Sequence, residues 1–242
     1  MLKKWLFILL SVCLVPQVSA ENQTIKIAVA SNFKTTLQVI AEQYQKDSGN
    51  KVIISSASTG ILFNQISHGA PFDLFLSADS KRAELLESSN QGVAGSRFTY
   101  AQGKIAFWVN GSDQQVTKST LLNYNERLAI ANPKLAPYGL AAQQTLHTLN
   151  LWKKTRYVQG ANASQTFQFI DTNNVKAGLV ALALLQTKNS RDYYVIPEQY
   201  HQAIKQQGVI VAHSKDKQAT QNFVVYLQSK KIKQLISSRG YL

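Results

Sequence analysis

Beyond residue 20 the sequence has no cysteine; its single cysteine is Cys13. Disulfides therefore hold nothing in the folded chain, and stability has to come from a buried apolar core. The 222 residues that follow position 20 are enough for that, either as one domain or as two lobes of about 100 residues each. Catalytic signatures are also missing. The four histidines, His68, His147, His201 and His213, are widely spaced and none lies in an HExxH pattern. No GxSxG elbow, P-loop GKS/T or thiol nucleophile follows the first 20 residues, so the usual routes to hydrolysis and phosphoryl transfer have no sequence support. Acidic residues are few, 13 against 26 lysines and arginines, within a chain only 16% charged. After the first 20 residues no apolar run approaches the roughly 18 residues of a membrane span.

What is present begins with a leader. Lys3 and Lys4 precede an apolar stretch from Trp5 to Val15, and Val18-Ser19-Ala20 follows. This is the pattern of a secretory signal peptide, with cleavage expected after Ala20 and export to the periplasm. Val12 stands where a lipidation signal calls for a small residue, so lipid attachment at Cys13 is not expected. Losing Lys3 and Lys4 lowers the formal charge from +13 to +11. The basic residues are scattered, with the densest group in "SKKIKQ" near the C-terminus and no basic stripe interleaved with aromatics. Nucleic acid is thus a poor candidate partner. A generally basic surface or long-range attraction of a small anion accounts for the charge.

The rest of the chain alternates strand-like and helical runs. "IKIAVA", "KVIISSA" and "FDLFLSA" are separated by helical patterns reaching to Gln45, over 61 to 68, and from Ser80 to about Glu87. That order predicts a parallel sheet covered by helices. Arg97 to Val109 reads as one long extended segment interrupted at Gly103, well suited to cross between lobes. A second series follows with "RLAIANP", a helix from about Leu140 to Leu149, "TRYVQGA", a helix near Gln165 to Ile170, and "AGLVALALL". "GVIVAH" returns the chain, and "DKQATQNFVVYLQSKKIKQLISS" closes it as helix. The expected fold is two Rossmann-like α/β lobes joined by two crossing strands around a cleft. Residues 21–101 with 213–242 would form lobe 1, and 102–212 lobe 2.

Four strand-to-helix junctions share one design: Ser31-Asn32, Ser58-Thr59-Gly60, Pro137-Tyr138-Gly139 and Asn162-Ala163-Ser164. A helix N-terminus carries about half a positive charge and N–H groups without intrahelical partners, so it binds an anion without lysine or arginine. Ser, Asn and Thr are also the ordinary capping residues, and any one junction alone reads as a cap. Together they offer more donors than capping consumes, and Gly60 and Gly139 leave room for close backbone approach. None of the four contains Asp, Glu, His, Lys or Arg. Such a site has no carboxylate to accept the proton that phosphate carries near neutral pH, so it should favour a fully deprotonated dianion. Asp73 and Asp79 flank "LFLSA" and read as strand-end or helix-cap residues; Trp108, Tyr193 and Tyr194 read as lobe packing.

At these same residues the chain resembles the periplasmic molybdate-binding proteins of ABC importers, over essentially all of residues 25 to 242. The landmarks are "ASNF", "SSASTGILFNQISHGAPFDLFLSAD", "GSRFTYAQGKIAFWV", "AIANPKLAPYG" and "GLVAL". The resemblance implies a type II periplasmic-binding-protein fold, a molybdate or tungstate ligand, no cofactor, and delivery to a membrane permease by a monomeric protein. It places the oxyanion ligands on Ser31, Asn32 and Thr59, with Ser58 and Gly60 nearby, and on the backbone N–H groups of Tyr138 and Ala163. These residues would meet the metal only through the anion's oxygens. Many members also use a tyrosine hydroxyl at the position that here is Ala181, and Asn32 is the expected substitute. The alternatives are a sulfate or other small-anion receptor, a secreted enzyme using Asp73 or Asp79, and a basic envelope-interaction protein.

Overall fold

The first lobe grows from a strand that is apolar on both sides. In β1 (Thr24–Ala30), Ile25, Ile27 and Val29 face one core while Ala28 joins another, the period-two separation of a pleated strand. A 3-10 turn, Ser31–Phe33, leads directly into α1 (Lys34–Ser48), which buries Leu37, Ile40, Ala41 and Tyr44 and ends at left-handed Gly49. The lobe continues with β2 (Lys51–Ala57), α2 (Thr59–Ser67), β3 (Leu74–Ser77), α3 (Ser80–Ser88) and β4 (Phe98–Gly103). The second lobe comprises β5 (Ile105–Val109), α4 (Lys118–Leu122), β6 (Leu128–Ala131), α5 (Pro137–Thr148), β7 (Tyr157–Gly160), α6 (Ala163–Asp171), β8 (Ala177–Ala181), α7 (Leu182–Lys188) and β9 (Tyr193–Val195). The chain then re-enters the first lobe as β10 (Ile204–Ile210) and finishes with α8 (Lys217–Leu227) and α9 (Lys230–Ser238). This computed structural model describes residues 22–188, 192–214 and 217–242. The leader, its expected cleavage point after Ala20 and Cys13 lie outside the described residues.

Each lobe holds one five-stranded sheet, ordered β2-β1-β3-β10-β4 and β7-β6-β8-β5-β9. β1 is parallel to β2 and β3, and β10 is antiparallel to β3 and β4; β6 is parallel to β7 and β8, and β5 is antiparallel to β8 and β9. The second sheet repeats the two-sided burial of the first, with Ile105 and Phe107 in one core and Ala106 and Trp108 in another. Among the described residues no helix is long and apolar enough to cross a membrane.

The architecture matches the sequence expectation, with local differences. The first crossing is Lys104, between β4 and β5, so the first sheet extends two residues beyond position 101. The second crossing includes a 3-10 turn, Glu198–Tyr200, after Pro197. Strand pairing puts Ile204–Ile210 in the first sheet, so this segment leaves the 102–212 span assigned to lobe 2. The C-terminal helical run is broken where Ser229 caps α9 through Ile232 N–H. Trp108 stacks on Phe167 at 5.1 Å and Tyr193 pairs opposite it, as expected of lobe packing.

Candidate functional site

In both lobes two neighbouring parallel strands end level, Ala30 opposite Ala57 and Ala131 opposite Gly160. Each end runs into a helical start, so four starts face one another across the seam between the lobes. They converge on a hollow of about 10 Å³ lined by Ser31, Asn32, Ser58, Thr59, Tyr138 and Ala163, with Ala30, Ala78, Ala136 and Pro137 completing the wall. None of these residues is charged.

The local donors follow from element geometry. Thr59 and Ala163 are first residues of α2 and α6, and Tyr138 follows Pro137 in the first turn of α5. Their N–H groups, with that of Asn32 in the 3-10 turn, precede any intrahelical carbonyl they could reach. Three hydroxyls add to them. Thr59 Oγ1 accepts the Ala78 N–H at 3.1 Å, Ser58 Oγ accepts the Ile61 N–H at 3.4 Å, and Ser31 Oγ accepts the Ser164 N–H at 3.3 Å. A hydroxyl has one proton to give. With these acceptor positions filled by backbone N–H groups, the protons are what remains to offer the hollow. All three side chains are at most 4% exposed.

Two predicted ligands behave differently. Gly60 does not line the hollow, and its N–H donates to the Leu135 carbonyl of the other lobe at 2.9 Å. It is a contact across the seam, and a Cβ there would stand 3.1 Å from the same oxygen. Asn32 lines the hollow, but its Nδ2 donates to Gln206 Oε1 at 2.8 Å and lies 3.4 Å from the Tyr241 hydroxyl. Its amide hydrogens are therefore engaged behind the hollow. Ala181 is itself buried at the end of β8, opposite Ile105. Gly139 meets the Ala131 carbonyl, where a Cβ would stand at 2.2 Å, so its close approach serves the packing of α5 on β6.

Sequence reasoning missed what lies behind the hollow. Gln206, Tyr100 and Tyr241 are buried there with Asn32 and Tyr138. The Tyr100 hydroxyl shares its one proton between the Ser77 carbonyl at 3.0 Å and Gln206 Oε1 at 3.1 Å, and Tyr241 donates to the Asn32 carbonyl at 2.8 Å. Burial pushes the hydroxyls of Tyr100 and Tyr138 well above the usual tyrosine range, and raises that of Tyr241. All three stay protonated donors at neutral pH. In the sequence Gln206 is marked by no motif, only by standing two residues after apolar Ile204, on the face that the structure shows to be buried.

The acidic candidates have structural partners. Asp73 accepts from the Lys26 N–H and from Ser214, each at 2.8 Å, and Asp79 caps α3 and pairs with Arg82. His147 stacks on Trp152, and His213 meets the Ala70 carbonyl. Among the described residues no group of three or more His, Cys, Asp or Glu could hold a metal ion.

A two-lobed α/β chain with a small polar hollow between its lobes has the form of a solute-binding protein. The chain belongs to the bacterial extracellular solute-binding proteins, whose family model matches residues 25–242. The molybdate-binding protein ModA of Azotobacter vinelandii is 39% identical over 230 residues, covering 92% of this chain and 91% of that protein. The molybdate-binding protein ModA of Rhodobacter capsulatus is 31% identical over 218 residues, covering 89% and 86%. The solved structure of the Azotobacter vinelandii periplasmic molybdate-binding protein aligns with a TM-score of 0.86 at 34% identity, covering 90% of this chain and 98% of that one. These relatives are binding proteins and not enzymes, in keeping with the missing catalytic signatures.

Proposed function

We propose that this chain captures a tetrahedral metal oxyanion, molybdate and also tungstate, in the hollow between its lobes and hands it to the membrane permease of an ABC importer. The observation that carries this reading is the convergence of four helical starts and three proton-bearing hydroxyls on a wall without a charged residue. Partial charges fixed to the backbone stabilise a dianion without a full counter-charge that would hold it too firmly. The ligand set is Ser31, Ser58 and Thr59 through hydroxyls, and Asn32, Thr59, Tyr138 and Ala163 through N–H groups. The anion is cargo, bound through its oxygens, and no cofactor takes part.

Selection follows from the same wall. Phosphate near neutral pH retains a proton, and no carboxylate lines the hollow to accept it, so binding it would strand a buried hydroxyl. Sulfate has the same charge and acceptors as molybdate, and is rejected by size. Closure of the lobes is the signal, since only the closed form presents both lobe surfaces together to the permease. Contacts across the seam support such a closed form: Ser164 Oγ donates to the Ser31 carbonyl at 3.0 Å, and Arg82 Nη2 to the Lys134 carbonyl at 3.0 Å. The protein would act as a periplasmic monomer after cleavage following Ala20.

Calorimetric titration of the leader-free protein with molybdate, tungstate, sulfate and phosphate, at one fixed salt concentration, tests this. One-to-one binding of the two larger anions, with weak sulfate and silent phosphate, is expected. Absence of heat with every anion, from folded and ligand-free protein, would sink the reading.

A further inference from the structure

Gln206 has no place in the ligand set, yet its side chain is joined to both halves of it. It lies in β10, the strand entered from the second crossing, and is 0% exposed. Its Oε1 accepts from Asn32 Nδ2 at 2.8 Å and from the Tyr100 hydroxyl at 3.1 Å, while its Nε2 donates to the Tyr138 hydroxyl at 3.3 Å. Asn32 belongs to the first lobe's helical start and Tyr138 to the second lobe's. The Tyr138 hydroxyl also rests on the end of β4, just before the first crossing, where a Cβ at Gly103 would stand 2.1 Å from it.

We propose that Gln206 is a positioning residue that fixes the separation between the two lobes' donor segments, and so sets the size of anion the hollow accepts. This rests on the reading of the hollow as an oxyanion site. An amide offers two acceptor and two donor positions, and three of the four are taken here by buried partners. Breaking any of these bonds leaves a buried polar group unpaired, which is costly. The spacer is therefore stiff in both directions. The lobes cannot draw closer around a smaller anion without compressing Gln206 against Tyr138, and cannot drift apart without losing its bonds. Sulfate, shorter in its central bonds than molybdate, then falls short of donors on one side or the other. A size filter is otherwise hard to build from flexible hydroxyls alone.

The test compares molybdate and sulfate binding by calorimetry in the wild-type chain, Gln206→Leu and Tyr138→Phe, with melting temperature as the control for folding. Leucine keeps most of the volume and removes the hydrogen bonds. Molybdate binding by Gln206→Leu should weaken roughly tenfold or more, as expected for losing a buried hydrogen bond, while sulfate binding changes less than about threefold. The molybdate-to-sulfate ratio falls accordingly. Tyr138→Phe removes one arm of the spacer, should lower the ratio by less, and carries the test if Gln206→Leu does not fold. Equal losses for both anions, or an unchanged ratio in the folded variants, would overturn the proposal and leave Gln206 a core residue only. Failure of the wild-type chain to bind molybdate would instead overturn the oxyanion reading beneath it.

Discussion

Two hollows along the seam between the lobes differ greatly in size. One, of about 350 Å³, is edged by Lys81, Arg82, Lys134 and Lys205 against a single carboxylate, Asp79; the other, of about 10 Å³, has no charged residue in its wall. Volume and charge both favour the first as an anion site, and the donor geometry favours the second. In the larger hollow Lys81, Lys134 and Lys205 are exposed to water, where screening weakens their pull. Arg82 is already committed to Asp79 and the Lys134 carbonyl. In the smaller hollow the positive ends are backbone groups held in place before any anion arrives, away from water, where each counts for more. On the proposed reading, scattered cations steer the anion and oriented dipoles hold it.

The strongest way to break that comparison is to put a charge into the small hollow. Ser31→Asp should abolish measurable molybdate binding, since a like charge about 4 Å away costs about 4 kcal/mol per unit charge at an effective dielectric of about 20. Calorimetry checks it, with circular dichroism confirming the fold; retained affinity would contradict a site that depends on neutrality.

The next largest effect concerns the tyrosines behind the small hollow. Tyr100, Tyr138 and Tyr241 have folded pKa values raised above the unfolded value of 10.0, with burial the leading cause. Above that pH the unfolded chain gives up these protons first, so stability is fully present below about pH 10 and is lost as pH rises further. Each tyrosine contributes up to about 1.4 kcal/mol per pH unit. Melting temperature followed from pH 7 to 11 should therefore stay level as far as these groups are concerned and then drop steeply. A level curve throughout would show that the tyrosines are not sealed from solvent.

A smaller effect is expected from removing one neutral donor. Thr59→Ala should weaken molybdate binding by ~1.5–3 kcal/mol, the range for a hydrogen bond to a charged group. An unchanged dissociation constant would take Thr59 out of the ligand set. Smallest is the change in the large hollow: Lys81→Glu with Lys134→Glu should slow association a few-fold at low salt. The dissociation rate should hardly move. A stopped-flow salt series checks this, and a large rise in the dissociation rate would mean that the cations hold the anion after all.

Much of this was legible in the sequence, for a reason that differs from element to element. Alternation of apolar runs with helical spacing announced both sheets, because buried parallel strands such as Thr24–Ala30 need apolar residues on both faces. The helical starts were visible because Ser31, Ser58, Thr59 and Asn162 stand where strand periodicity stops. The sheet to which Ile204–Ile210 belongs was not visible, since strand periodicity records which faces are buried and not which neighbours pair. The partners of Gly60 and Asn32 were hidden in a related way. The sequence announces that donors are available at a turn, and only the fold shows that Leu135 and Gln206 have already claimed them. Gln206 itself is a polar residue with no local motif, defined wholly by partners up to 174 residues away.

The bond from the Tyr241 hydroxyl to the Asn32 carbonyl joins positions 209 residues apart. The turn that lines the hollow is thus braced by a side chain remote in sequence, so the wall of the hollow is a property of the assembled fold and of no local stretch of chain.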